Sequence, residues 1–140
     1  MLYGGEASQE LWREARWAFI HGQYVAAIML SQALAEQMLA AYLDVDTHAD
    51  SLPSRVTFSE TLKRCVKRGV LSEADANGLR ELIAQRNPLS HFRSIDDPAN
   101  LSRRVLDTLE PAEMHLRRVA TSAIGTAARL LALPAFRLGS

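Results

Sequence analysis

Tyr24-Val25-Ala26-Ala27-Ile28-Met29-Leu30-Ser31-Gln32-Ala33-Leu34-Ala35-Glu36-Gln37-Met38-Leu39-Ala40-Ala41-Tyr42 is the stretch that decides the fold of this 140-residue chain. Tyr24, Ala27, Ile28, Ser31, Leu34, Ala35, Met38, Leu39 and Tyr42 recur with the helical period over a broad arc. A helix patterned in this way is touched on most of its circumference, so it belongs at the centre of a bundle. The apolar run from Val25 to Leu43 is interrupted by Ser31, Gln32, Glu36 and Gln37. Polar groups at the middle of a run disfavour a membrane span, and a buried helix is expected instead.

The flanking sequence supplies the helices that would surround it. Gln9 to Ile20 places Leu11, Ala15, Ala18 and Phe19 on one stripe, and Gly22 stops that helix. Asp44 to Ser54 has no periodicity and reads as a loop. Thr57-Phe58-Ser59-Glu60 has the pattern of a capping box, in which hydroxyl and carboxylate each take an orphan amide. The helix it opens runs through Leu62, Cys65 and Val66 to Gly69. Ser72, followed by Glu73 and Asp75, opens another helix with Leu79, Leu82 and Ile83 on its apolar face. Asp96-Asp97-Pro98 marks a turn before Leu101, Val105 and Leu109. Pro111 falls in the first turn of a last helix, whose Met114, Val119, Ala123, Ile124, Ala127, Leu130 and Leu131 pack before Pro134 ends it. No stretch alternates as a strand would. The expected fold is all-α, an antiparallel bundle of about five or six helices in a single domain over residues 1–140.

Composition excludes several chemistries. Sixteen basic residues balance sixteen acidic ones, which argues against a polycation held on nucleic acid by charge alone. The single Cys65 forms no internal disulfide, and no charged segment precedes an apolar export core, so a cytoplasmic setting is expected. Asp44-Val45-Asp46-Thr47-His48-Ala49 begins like a calcium loop, but Ala49 stands where the obligatory glycine would be, and Arg55 replaces the closing Glu. No Cys or His spacing suggests zinc and no Gly-rich loop suits a phosphate, so neither metal nor cofactor is expected. Met29, Met38 and Met114 read as core filler.

Chemistry concentrates in Arg86-Asn87-Pro88-Leu89-Ser90-His91, where a permanent cation, an amide and an imidazole fall within six residues. On an ideal helix Arg86 and His91 stand about 140° apart. Pro88 removes an amide and biases Asn87 away from helical backbone. Either the helix breaks, with Asn87 as a new cap and Pro88 at the first position, or it continues and a second copy completes the site. Val56-Thr57-Phe58-Ser59-Glu60-Thr61-Leu62, Lys67-Arg68-Gly69-Val70-Leu71-Ser72-Glu73 and Leu79 through Arg93 together resemble the conserved block of the HEPN superfamily. Its hallmark of Arg, a polar residue, variable positions and His is met by Arg86, Asn87 and His91. The helix ending in Ala33-Leu34-Ala35-Glu36-Gln37-Met38-Leu39 is similar to an earlier helix of that superfamily.

That resemblance implies a HEPN-like bundle acting as a metal-independent endoribonuclease, a homodimer whose two Arg/His motifs face each other across a cleft. A toxin–antitoxin or defence setting, with a cognate antitoxin or other protein partner, would follow from it. The residue types suit the chemistry. Histidine takes either proton-transfer role around neutrality, and arginine grips two phosphate oxygens with its planar fork. In that scheme Arg86, His91 and Asn87 are catalytic, with Asn87 or Ser90 orienting the imidazole or holding a phosphate oxygen. Lys63, Arg64, Lys67 and Arg68 form a basic flank at helical spacing, readable as a track for RNA or as a solvated face. Glu36 would tune His91 or pair with a buried Arg, and Trp12 and Trp17 read as core or interface anchors. The alternative function is a non-catalytic helical module of the same fold that binds a nucleotide, RNA or a protein.

Overall fold

The computed structural model describes residues 2–45 and 56–136. Among them six α-helices follow one another: α1 Gly5–Ile20, α2 Tyr24–Val45, α3 Phe58–Lys67, α4 Glu73–Ser90, α5 Leu101–Thr108 and α6 Ala112–Ala132. A short 3-10 turn, Pro134–Phe136, follows, and no described residue lies in a strand.

Side chains that satisfy orphan backbone groups set the helix ends. Ser72 Oγ accepts the Asp75 amide at 3.0 Å while Asp75 Oδ2 accepts the Ser72 amide at 3.1 Å, a reciprocal capping box at the start of α4. At α3 only half of the expected box forms. Thr57 Oγ1 accepts the Glu60 amide at 3.2 Å, but the Glu60 carboxylate accepts from Arg64 Nε at 3.3 Å instead. Asn100 Oδ1 caps α5 by accepting the Arg103 amide at 3.0 Å. Each cap of this kind contributes about 1 kcal/mol. Gly22 and Gly69, both at φ 74°, supply the left-handed backbone that turns α1 into α2 and ends α3.

Several boundaries differ from the sequence reading. Helix α1 begins at Gly5 rather than Gln9, because its first turns are already packed and Ser8 is fully buried. Asp44 and Val45 continue α2 rather than opening a loop; the remainder of that expected loop, with the calcium-like segment beyond Val45, lies outside the described residues. Pro111, at φ −59° and ψ 149°, stands just before α6 in extended backbone and not in its first turn. Leu109 does not extend the apolar face of α5: it caps the helix in left-handed backbone, φ 59°, and is 87% exposed. Met114 is exposed and Met29 half-buried, so of the three methionines read as core only Met38 is fully enclosed.

Two layers of core follow from the pattern on α2. One cluster joins Leu34, Ala35, Met38, Leu39 and Leu43 of α2 to Phe58, Leu62 and Cys65 of α3, Leu79 of α4, and Ala127 and Leu130 of α6. At that end Tyr3, Tyr42 and Phe136 meet edge to face. The other cluster joins Ala18 of α1, Ala27 and Ile28 of α2, Leu82 of α4, and Val119, Ala120 and Ala123 of α6, with Phe19, Tyr24, Leu89 and Leu116 packed against it. These clusters orient the helices. Helices α1 and α4 run towards the second cluster, whereas α2 and α6 run away from it. Helices α1 and α2 are thus antiparallel, whereas α2 and α6 pack together in parallel. Ala27 and Ala35 of α2 and Ala120, Ala123 and Ala127 of α6 are all buried small residues, which permits a close approach. By length and composition α2 could cross a membrane. Here its apolar residues form the centre of the bundle.

Candidate functional site at the end of α4

Helix α4 runs without a break through Pro88 to Ser90. Proline donates no amide there, so the Ala84 carbonyl lacks its helical donor, yet the chain stays helical and Asn87 is not a cap. The backbone leaves the helix at His91, φ −127° and ψ 134°, whose amide donates to the Asn87 carbonyl at 2.8 Å. Ser90 Oγ lies 3.4 Å from the same carbonyl. The His91 side chain projects from this last turn, exposed, with no hydrogen-bond partner among the described residues.

Arg86 sits one turn earlier and is half-buried. Its Nη1 donates a long bond, 3.4 Å, to Asn87 Oδ1, and its Nε is buried without a partner among the described residues. Glu81, the nearest candidate counter-ion on the helix, accepts from Gln85 Nε2 at 3.2 Å. The guanidinium is therefore held against the bundle by packing, with a weak amide contact and no carboxylate among the described residues. An unpaired buried donor is uncommon and costs about 1–3 kcal/mol, since the group has lost water without replacing it.

Other residues singled out by sequence lie elsewhere. Glu36 is exposed and accepts from Gln32 Nε2 at 3.1 Å, so it neither tunes His91 nor neutralises Arg86. Lys63 and Lys67 are exposed on α3, and Arg64 bonds Glu60. Lys67 precedes the start of α4 by a short turn, and the helix then rises about 27 Å to its end, so the basic flank and His91 are not brought together. Trp12 is half-buried beneath the Arg16 guanidinium, 5.1 Å from its ring centre. Trp17 is 60% exposed and stacks on His21 at 4.0 Å between ring centres. It is not a core anchor. Cys65 is buried, and burial pushes its thiol up to about 11 despite Arg68, so it is no nucleophile at neutral pH. Among the described residues no three His, Cys, Asp or Glu side chains converge as metal ligands.

Two features around the site were not legible in the sequence. First, Phe92, 91% exposed, and Ile95 follow His91 directly, and Leu106, Leu109, Met114, Trp17, Ile20 and Val25 are exposed on the same end or the segment crossing it. Only Val45, of the exposed large apolar residues described, lies away from this end. Second, His115 is buried and ties α5 to α6. Its Nδ1 receives Arg118 Nη2 at 3.4 Å, so Nε2 carries the proton and donates to Thr108 Oγ1 at 2.9 Å. Thr108 passes a hydrogen bond on to the Arg104 carbonyl at 2.7 Å, and Arg118 also grips Glu110, holding its carboxyl below the usual carboxylate range. This clamp fixes the end of α5 against the first turns of α6. No protein family, curated protein or solved structure matches this chain.

Proposed function

We propose that the chain is a metal-independent endoribonuclease of the HEPN type, working as a homodimer through Arg86 and His91. The observation that carries this reading is the exposed imidazole of His91 just over one turn beyond Arg86, neither side chain having an ionic partner among the described residues. In the reaction, one His91 takes the proton of the 2′-hydroxyl as its oxygen attacks phosphorus. The bond from phosphorus to the 5′-oxygen breaks, and His91 of the partner subunit protonates the leaving oxygen, giving a 2′,3′-cyclic phosphate and a 5′-hydroxyl. Arg86 braces the non-bridging oxygens through its Nη groups, and Asn87 holds that guanidinium from below. The exposed apolar residues from Phe92 to Leu109 supply the surface on which a second copy would bring the two imidazoles together. Lys63 and Lys67 would act only on a strand long enough to run the length of α4.

The test is cleavage of a labelled, structured RNA by purified protein in EDTA, beside Arg86→Ala and His91→Ala. Cleavage by the wild type, with cyclic phosphate ends and folded but inactive variants, supports the assignment. Equal behaviour of all three proteins sinks it. One observation favours a second reading, a helical module that binds without cutting. Four cavities, between α4 and α6, beside the α1–α2 turn, between α1 and α2, and along α5, have neither Arg86 nor His91 in their linings. A single copy thus offers no concave pocket at the motif in these four places.

A further inference from the structure

The most enclosed of those cavities lies at the far end of the bundle from His91, between the first half of α4 and the last part of α6. Its volume is about 290 Å³, with Leu71, Leu79, Leu130 and Leu133 as apolar walls. Ala74 and Gly78 form the α4 side. Gly78 stands in the interior of a helix, where glycine is unfavourable, without the usual reasons for it. Its φ is not positive, and a Cβ placed there would meet nothing within 4 Å. No neighbouring backbone requires the missing side chain; its absence keeps the cleft open.

The polar groups of the cleft are Asp75, Thr126 and Arg129. The Asp75 carboxylate is engaged in the capping box of α4. Arg129 Nη2 donates to the buried Thr126 Oγ1 at 3.2 Å, and the guanidinium forms no ion pair among the described residues. Gly125, a second helix-interior glycine without positive φ, lies under it: an added Cβ would stand 3.6 Å from Arg129 Nη1. Apolar walls, one braced cation with free donors and a single acid at the opposite side define the complement. That complement has an aliphatic body and one negative head, since a second acid would face Asp75.

We propose that this cleft binds a small aliphatic monocarboxylate, with its chain against Leu71, Leu79, Leu130 and Leu133 and its head on Arg129. The inference is independent of the nuclease reading. The probe is octanoate, titrated into the isotopically labelled full chain and followed by amide NMR shifts, with octanol and octylamine alongside. Saturable shifts confined to residues 71–79 and 126–133, with a Kd of about 1 mM or tighter, are expected. Arg129→Gln lowers octanoate affinity by roughly tenfold and leaves octanol unchanged, because only the charge-assisted contact is lost. Gly78→Leu fills the cleft and abolishes binding while circular dichroism stays helical. The proposal is overturned if octanoate gives no saturable shifts, if the shifts map elsewhere, or if Arg129→Gln leaves the preference for the acid intact. Should Gly78→Leu misfold, the Arg129→Gln arm, on an exposed side chain, still decides.

Discussion

Arg86 places function and stability in opposition at a single side chain. Its aliphatic stem packs on the bundle while a buried Nε goes unpaired. Replacing it with methionine keeps the stem and removes the unsatisfied donor. Arg86→Met is expected to match or exceed wild-type stability, by up to about 1 kcal/mol in urea unfolding, and to lose RNA cleavage completely. A marked loss of stability instead would make Arg86 a structural residue and remove the main support for its catalytic role. The sequence marks this residue by its place beside Asn87 and His91. It does not disclose that no described carboxylate pairs with Arg86, because partner choice depends on which rotamers the packing leaves free. Glu36 illustrates the same limit: period alone set it on an apolar helix, and only the arrangement of neighbours leaves it exposed beside Gln32.

At the scale of elements, helix boundaries are legible where a capping side chain or a glycine marks them, and less so where none does, as at the start of α1. Ser72 and Thr57 cap as their residue types demand, since an N-terminal cap is satisfied within four residues of sequence. Asp75 completes its box but Glu60 is drawn away by Arg64, a competition between neighbours that a motif does not resolve. Leu109 fits the apolar period of Leu101 and Val105, yet it occupies left-handed backbone more suited to glycine or asparagine. Leu109→Asn is therefore expected to stabilise the fold by about 0.5–1 kcal/mol, read as a higher midpoint in thermal unfolding. An unchanged or lower midpoint would mean that the exposed leucine makes contacts whose loss outweighs the backbone relief.

The molecule as a whole has a polar flank and one end crowded with exposed apolar side chains. Burying such a patch in a second copy is the reason given above for a homodimer, and two residues test it. Phe92→Glu with Leu106→Glu places charges on that end without touching the core, and sedimentation velocity should shift from dimer to monomer with cleavage lost in parallel. A monomeric wild type, or a double variant that still sediments as a dimer, rejects that surface. The all-helical class and the central place of α2 could be read from the sequence because periodicity carries them. The parallel pairing of α2 with α6 could not, since no local signal joins segments so far apart along the chain. That pairing has a consequence during synthesis on the ribosome. Helix α2 emerges early with a face meant for α6, and at ordinary elongation rates the intervening residues take on the order of 3 to 13 s to appear. For that interval α1, α3 and α4 can cover part of the most apolar helix of the chain, but the face meant for α6 stays open, a nascent surface for chaperones to shelter.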